Sequence, residues 1–308
     1  MAFGAAVGYG NLPQGNWSPE IFSKKAQIAY RNTAVVPAIT NTDYFGEIMS
    51  YGDTVRIIQE PEITVSSYVR GQDVIPQDLD DDELTLTIDK ANKFAFYMDD
   101  IEVRQSHIGW MGLASNRAGY KLRDTMDSEV LTYIDSQIPT ANQLGTEASV
   151  TTVDVAGAPA YTPLGILNRF QSLMDEGNVP DDGRYLVADP FFYELLGDED
   201  SKVLSVDYAT PGNILRNGLI AVGQIRGFKL YKSNNLGVVG TGSRATSGTN
   251  GTWMIAGQMA AVAMAEQIMK TEQLRSQTSF GDVVRGLHVY GRKVLRADSL
   301  FGAVWRQV

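Results

Sequence analysis

Two runs of alternating residues, separated by an acidic stretch too long for a turn, constrain this chain most. After the turn signal Gly52-Asp53 come Val55, Ile57 and Ile58, and then Ile63 and Val65 alternate with Thr64 and Ser66. On the far side Leu84, Leu86 and Ile88 alternate with Thr85, Thr87 and Asp89. Period-two patterning predicts two long antiparallel strands, each with one face buried. The connection at 70–83 is far longer than a tight hairpin turn. From 71 to 89 the chain carries seven acids and no base. A ribbon of two strands has little core of its own and needs something else to lie on.

The period then changes. Ile108, Met111, Ala118, Leu122, Met126, Val130 and Ile134 recur at spacings of three, four or seven, one apolar stripe of a helix over about 99–138. Pro139 ends it, and Gly109, Gly112 and Gly119 permit a bend. Such a helix is about 45 Å long, more than the diameter of a small domain.

Upstream, 1–16 reads as a mobile arm rich in Gly, Ala and Asn. Trp17-Ser18-Pro19-Glu20 opens a short helix reaching about Arg31, and 35–39, with Pro37, reads as extended. Downstream, Thr162-Pro163 opens a helix closed by Gly177. Residues 184–188 form a short buried strand, Asp189-Pro190 caps a helix at 191–196, and 227–231 form another strand. This order suggests an α/β subdomain. Residues 237–251 read as a Gly/Ser/Thr-rich loop. Apolar strands return at 253–256, 260–265, 287–290 and 294–295.

Composition narrows the function classes. The chain has 308 residues, no Cys, two His and a formal net charge of −10. That removes disulfides, Cys-ligated metals, thiol catalysis and multi-His metal sites. The excess of acid argues against a dedicated nucleic-acid binder. No secretory signal is read, and the longest apolar stretch, 253–265, is too short to span a bilayer.

The chemical motifs are weak. The run from Gly237 to Gly242 lacks the Gly-Lys-Ser/Thr of a phosphate loop and the spacing of a dinucleotide loop. Asp78 to Glu83 lacks the glycine and the final Glu of an EF-hand, and reads as a solvated or partner-facing acidic loop. Asp181-Asp182 and Asp198-Glu199-Asp200 have no partner at glycosidase spacing. His107 and His288 have no nucleophile signature beside them and read as structural. Charge asymmetry says more. From 270 to 308 there are seven bases against three acids, complementary to the acidic ribbon.

The segment order, with Trp17-Ser18-Pro19-Glu20, Tyr51-Gly52-Asp53-Thr54-Val55 and Val179-Pro180-Asp181-Asp182-Gly183-Arg184-Tyr185-Leu186-Val187, resembles a tailed-bacteriophage major capsid protein. Phe280-Gly281-Asp282, Val283-Val284-Arg285-Gly286-Leu287 and Tyr290-Gly291 fit the same resemblance, to the α+β shell fold named after phage Hong Kong 97. The resemblance covers nearly the whole chain. It implies an N-terminal arm at 1–42 and an extended β-ribbon, or E-loop, at 43–97. A P-domain with a long spine helix would span 98–139 and 253–308, and an A-domain 140–252.

The resemblance further implies self-assembly into pentamers and hexamers of an icosahedral head around double-stranded DNA, bound without sequence specificity. It implies a virion location after assembly in the host cytoplasm, and a portal protein as partner. It implies no enzyme activity, catalytic residue, cofactor, metal or membrane. Asp80, Asp81, Asp82 and Glu83 are expected to face basic residues of another subunit, with Arg285, Arg292 and Lys293 as candidates, and Trp17 as a further contact. No Lys occurs from 52 to 89, so a ribbon cross-link through lysine is not expected, and interlocking loops or a cement protein would stabilise the shell. The few residues before Trp17 suggest a separate scaffolding protein. The alternatives are an encapsulin-like nanocompartment shell and, from another class, a soluble acidic hydrolase with a pocket.

Overall fold

Strand and helix content follows the predicted alternation in outline and departs from it in instructive places. The computed structural model describes residues 4–6, 9–14, 34–43, 54–58, 61, 63–71, 73, 76–77, 83–105, 110–154, 159–197, 225–240 and 251–307. Trp17, Asp80, Asp81, Asp82, His107 and the expected helix at 21–31 lie outside them.

The elements run in this order. A small hairpin, β1 (Gly4–Ala6) and β2 (Tyr9–Gln14), is followed by the short helix α1 (Val36–Ile39). Next come β3 (Thr54–Ile58), β4 (Glu83–Thr87) and β5 (Lys90–Asp99). Helices α2 (Asp100–Gln105) and α3 (Trp110–Gln137) lead to the two-residue strands β6 (Gln143–Leu144) and β7 (Thr151–Thr152). Then follow α4 (Pro163–Glu176), β8 (Arg184–Ala188), α5 (Pro190–Leu196), β9 (Lys229–Lys232) and β10 (Val238–Val239). The chain closes with β11 (Gly251–Gln258), β12 (Val262–Arg275), β13 (Gly281–Val294) and β14 (Leu300–Arg306).

A seven-stranded sheet runs β6-β14-β11-β8-β9, with β7 also on β14 and β10 on β11. Strands on both sides of position 252 therefore share one sheet. Its two faces are both covered. Tyr185, Val187, Ile255 and Val304 face a core with Val130, Leu131 and Ile134 of α3. Leu186, Ala188, Met254, Ala256 and Trp305 face a second core with Phe170 of α4 and Phe192 of α5. Double coverage explains why β8, β11 and β14 read as unbroken apolar runs instead of alternating ones. The caps of α4 and α5 are those predicted. Thr162 Oγ1 accepts from the Gly165 N–H, and Asp189 Oδ1 from the Phe192 N–H at 3.3 Å.

A separate three-stranded sheet has the order β12-β13-β5. Here sequence patterning underestimated the molecule. The late strands at 260–265, 287–290 and 294–295 fall within or at the ends of one hairpin of two fourteen-residue strands, and 90–99 is a ten-residue strand paired antiparallel to β13. The predicted helix at 99–138 begins within one residue of its expected start, as α2 at Asp100 directly after β5. The Asp99 carboxylate accepts from the Ile101 N–H at 2.8 Å at the turn from strand to helix, and the main helix is the 28-residue α3.

Two more departures are local. The N-terminal arm carries a paired hairpin with a bulge between Ala5 and Ala6. Backbone pairing needs no side-chain pattern, so the sequence did not signal it. Residues 36–39 form a helical turn where an extended run was expected. Pro37 sits in its first turn, where a missing N–H costs nothing.

Candidate subunit interface

The ribbon divides at Ile58. Below that point β3 and β4 pair antiparallel, Val55 opposite Leu86 and Ile57 opposite Leu84. Leu86 is fully buried with Ala263 and Ala265, and Val55 and Ile57 pack beside them. The base of the ribbon thus lies on its own subunit. Gly291 permits this contact, since a side-chain carbon there would sit 2.5 Å from the Thr87 carbonyl oxygen.

Above that point the apolar residues face solvent. Ile58, Ile63, Val65, Tyr68 and Val69 are 78, 68, 92, 73 and 56 % exposed. The strand with one buried face expected at 63–66 is not formed: 63–69 pair with no strand among the described residues and are exposed on both faces. The Thr64 N–H donates to Gln77 Oε1 at 2.9 Å. A group of exposed apolar side chains of this kind marks a contact surface.

The expected charge partners are placed as follows. Glu83 opens β4 and pairs with Arg56 across the ribbon at 3.1 Å, both side chains exposed. Arg285 is held by Glu272 of the neighbouring strand at 2.8 Å. Arg292 is largely buried over the Tyr133 ring, 4.7 Å from its centroid, with Asp89 at 3.7 Å. Lys293 is half-buried opposite Ala263. Cross-strand register therefore supplies Arg285 with an acid of its own chain, a pairing invisible without the hairpin alignment.

The long helix α3 holds what sequence reasoning missed. Its second half is acidic and built in. Asp127 is fully buried, and its Oδ1 accepts from the backbone N–H groups of Val35 at 2.7 Å and Val36 at 2.9 Å. Its Oδ2 accepts from Asn235 Nδ2 at 3.0 Å, and the same amide reaches Asp124 at 3.0 Å. One carboxylate thus ties the N-terminal segment, α3 and the 233–237 loop together. Asp135 is buried beside Gly237 and Trp253. Burial pushes its carboxyl up to about 8, and the Gly237 backbone N–H offsets only part of this. Glu129 accepts from the Tyr290 hydroxyl and, at 3.4 Å, from Asn92 Nδ2.

The first half is the opposite. Arg117, Lys121 and Arg123 are exposed, and 110–123 contains no acid. Lys121 pairs with Asp124 at 3.0 Å. A cleft of about 440 Å³ opens between this half and the three-stranded sheet, walled by Phe94, Gly119, Arg123 and His288. His288 is buried, stacked on Tyr290 at 5.2 Å, with Glu266 at 3.3 Å from its Nε2. That placement agrees with a structural histidine. Among the described residues no group of His, Asp and Glu has the geometry of a metal site, and no helix is long and apolar enough to cross a membrane.

A family model described as phage capsid protein matches residues 81–304. No curated protein matches the chain. Among solved structures, that of Mycobacterium phage Che8 is 25 % identical, covers 94 % of this chain and 97 % of its own, and superposes with a TM-score of 0.74. The capsid structure of cyanophage P-SCSP1u is 17 % identical with a TM-score of 0.73, covering 95 % of this chain and 94 % of its own. The capsid of a native GTA particle shares the fold at 9 % identity and a TM-score of 0.67, covering 95 % of this chain and 96 % of its own.

Proposed function

Since this chain belongs to the phage capsid protein family, we propose that it closes a phage head by laying the upper part of its ribbon over sister subunits. It is a structural major capsid protein of the tailed-phage type, and its place is the virion shell. The finer reading is ours. Subunits gather as pentamers and hexamers of an icosahedral shell around double-stranded DNA, assembled in the host cytoplasm. A portal protein, a separate scaffolding protein and a cement protein complete the particle. Residues 43–97 act as the E-loop, 98–139 with 253–308 as the P-domain, 140–252 as the A-domain and 1–42 as the N-terminal arm. Asp80, Asp81, Asp82 and Glu83 contact bases of another copy, and Trp17 is a further contact.

The observation that carries this reading is the division of the ribbon at Ile58. A five-residue base is buried on its own sheet, and an apolar run beyond it is covered by nothing in the same described chain. Burying it stabilises assembly at about 25 cal/mol per Å² of apolar area. The contact recurs at every copy of a symmetric assembly, so small contributions accumulate. A net charge of −10 suits a container that must not hold its DNA through phosphate contacts.

The test is the triple substitution Ile63→Ser, Val65→Ser and Tyr68→Ser. The purified subunit should melt as the parent does, because these side chains touch no core. Particle yield, read by sedimentation and negative-stain microscopy, should fall at least tenfold. Unchanged yield would refute the proposed role of the ribbon.

A further inference from the structure

We propose that Arg292 sets the angle at which the ribbon leaves its own subunit, by holding Asp89 at the ribbon's root from a fixed place over the ring of Tyr133. This rests on the reading that the upper ribbon lies on sister subunits, and it assigns the positioning residue that aims it.

The root of the ribbon lies on the end of β13. Residues 88–89 join β4 to β5. A side-chain carbon at Gly291 would sit 2.5 Å from the Thr87 carbonyl oxygen and 3.0 Å from the Ile88 Cα, so the two backbones touch there. The next residue, Arg292, reaches both ways. Its guanidinium carbon stands 4.7 Å from the centroid of the Tyr133 ring on α3, and its Nη1 stands 3.7 Å from Asp89 Oδ1. Tyr133 is held in turn by its helix, whose Val130, Leu131 and Ile134 are fully buried in the core. Among the described residues Asp89–Arg292 is the one ion pair between 54–89 and the rest of the subunit.

This fastening is charged but not tight. A separation of 3.7 Å exceeds the reach of an N–H···O hydrogen bond, about 2.7–3.2 Å. The Arg292 side chain is only 11 % exposed, and its Nε and Nη1 are buried with no hydrogen bond among the described residues. A buried guanidinium in that condition favours a closer carboxylate. Asp89 can supply it, because its side chain is 55 % exposed. The rest of the seat resists little. Leu86 rests on Ala263 and Ala265, an apolar contact without direction. Attraction between charges, and between a cation and a ring face, fades gradually with distance, so the pair persists over a range of ribbon angles. From Asp89 to Glu83 the strand covers about 20 Å at about 3.3 Å per residue, so a small rotation at the root moves the upper ribbon much farther. Such a joint lets one sequence meet neighbours set at different angles.

The absence of Cys allows two spin labels to be placed at will. Full-length chains carry Thr85→Cys on the ribbon and Gln137→Cys at the end of α3, both exposed positions. Pulsed electron resonance on the unassembled subunit reads the spread of distances between them. Asp89→Ala should widen that spread at least twofold while the subunit melts as the parent does. Asp89→Glu, one methylene longer, should keep it as narrow as in the parent. Arg292→Lys keeps the charge but loses the planar fork over the ring, and should fall between. An unchanged spread in Asp89→Ala would overturn the proposal. So would a wider spread that comes with a lower melting temperature and is not prevented by Asp89→Glu, since that marks a contact of stability alone. Particle yield separates this proposal from the reading beneath it. If Asp89→Ala widens the spread but the triple serine variant assembles fully, the joint stands and the seating on sister subunits falls. If the triple serine variant fails to assemble and Asp89→Ala leaves the spread unchanged, the joint alone falls.

Discussion

The two halves of α3 show the same kind of element used in two ways. From Met126 onward its apolar stripe is buried against the seven-stranded sheet, and its acids are fixed by specific donors. Before Asp124 the stripe is only partly covered, glycines stand in open space and the charges are basic. A helix of 28 residues is about 42 Å long at 1.5 Å per residue, so it outreaches the core that stabilises it. One half holds the subunit together. The other half is surface that the subunit itself leaves unfinished.

Breaking the buried half should have the largest effect. Leu131→Ala removes a fully buried side chain and should cost about 2–5 kcal/mol of subunit stability. Arg123→Ala on the exposed half should change it by less than about 0.5 kcal/mol. Chemical denaturation of both variants checks the contrast. Asp127→Ala comes next. It strips the acceptor from the Val35 and Val36 N–H groups and from Asn235, at about 3 kcal/mol. A loss of hydrogen-exchange protection at Val35 and Val36 would show that the carboxylate anchors the N-terminal segment.

A pH dependence sharpens the same contrast. Folded Asp135 keeps its proton up to about pH 8, whereas the unfolded chain releases it near 3.8. Between those values the native state binds one more proton, so this group's contribution falls as pH rises, by about 1.4 kcal/mol per unit. The contribution is fully present below about pH 4 and lost once pH passes 8. Asp135→Asn should flatten the dependence relative to the parent when unfolding is measured from pH 5 to 8; parallel curves would refute a neutral Asp135. The smallest effect belongs to Gly119→Ala. With open space around it, the substitution should stabilise the isolated subunit by about 1 kcal/mol through helix propensity. If a second copy approaches this backbone, particle yield should drop at the same time.

Legibility in the sequence followed the same physical lines. The caps Thr162, Gly177 and Asp189 were readable because capping is a local interaction. β14 was missed because both of its faces are covered, which erases alternation. β5 was missed because Lys90 and Asn92 interrupt its partly buried face. The turn at 36–39 depends on Asp127, 92 residues from Val35, and no local pattern signals that. For the interface, the acidic ribbon was legible as unbalanced charge, but its partner was not. The C-terminal bases looked available until register set Glu272 against Arg285.

The most direct measurement is an electron-microscopy reconstruction of particles assembled from this chain alone or with its phage partners. The account predicts closed shells with density for residues 61–77 resting on an adjacent subunit. Dispersed single molecules, with that segment folded over their own α3, would contradict it.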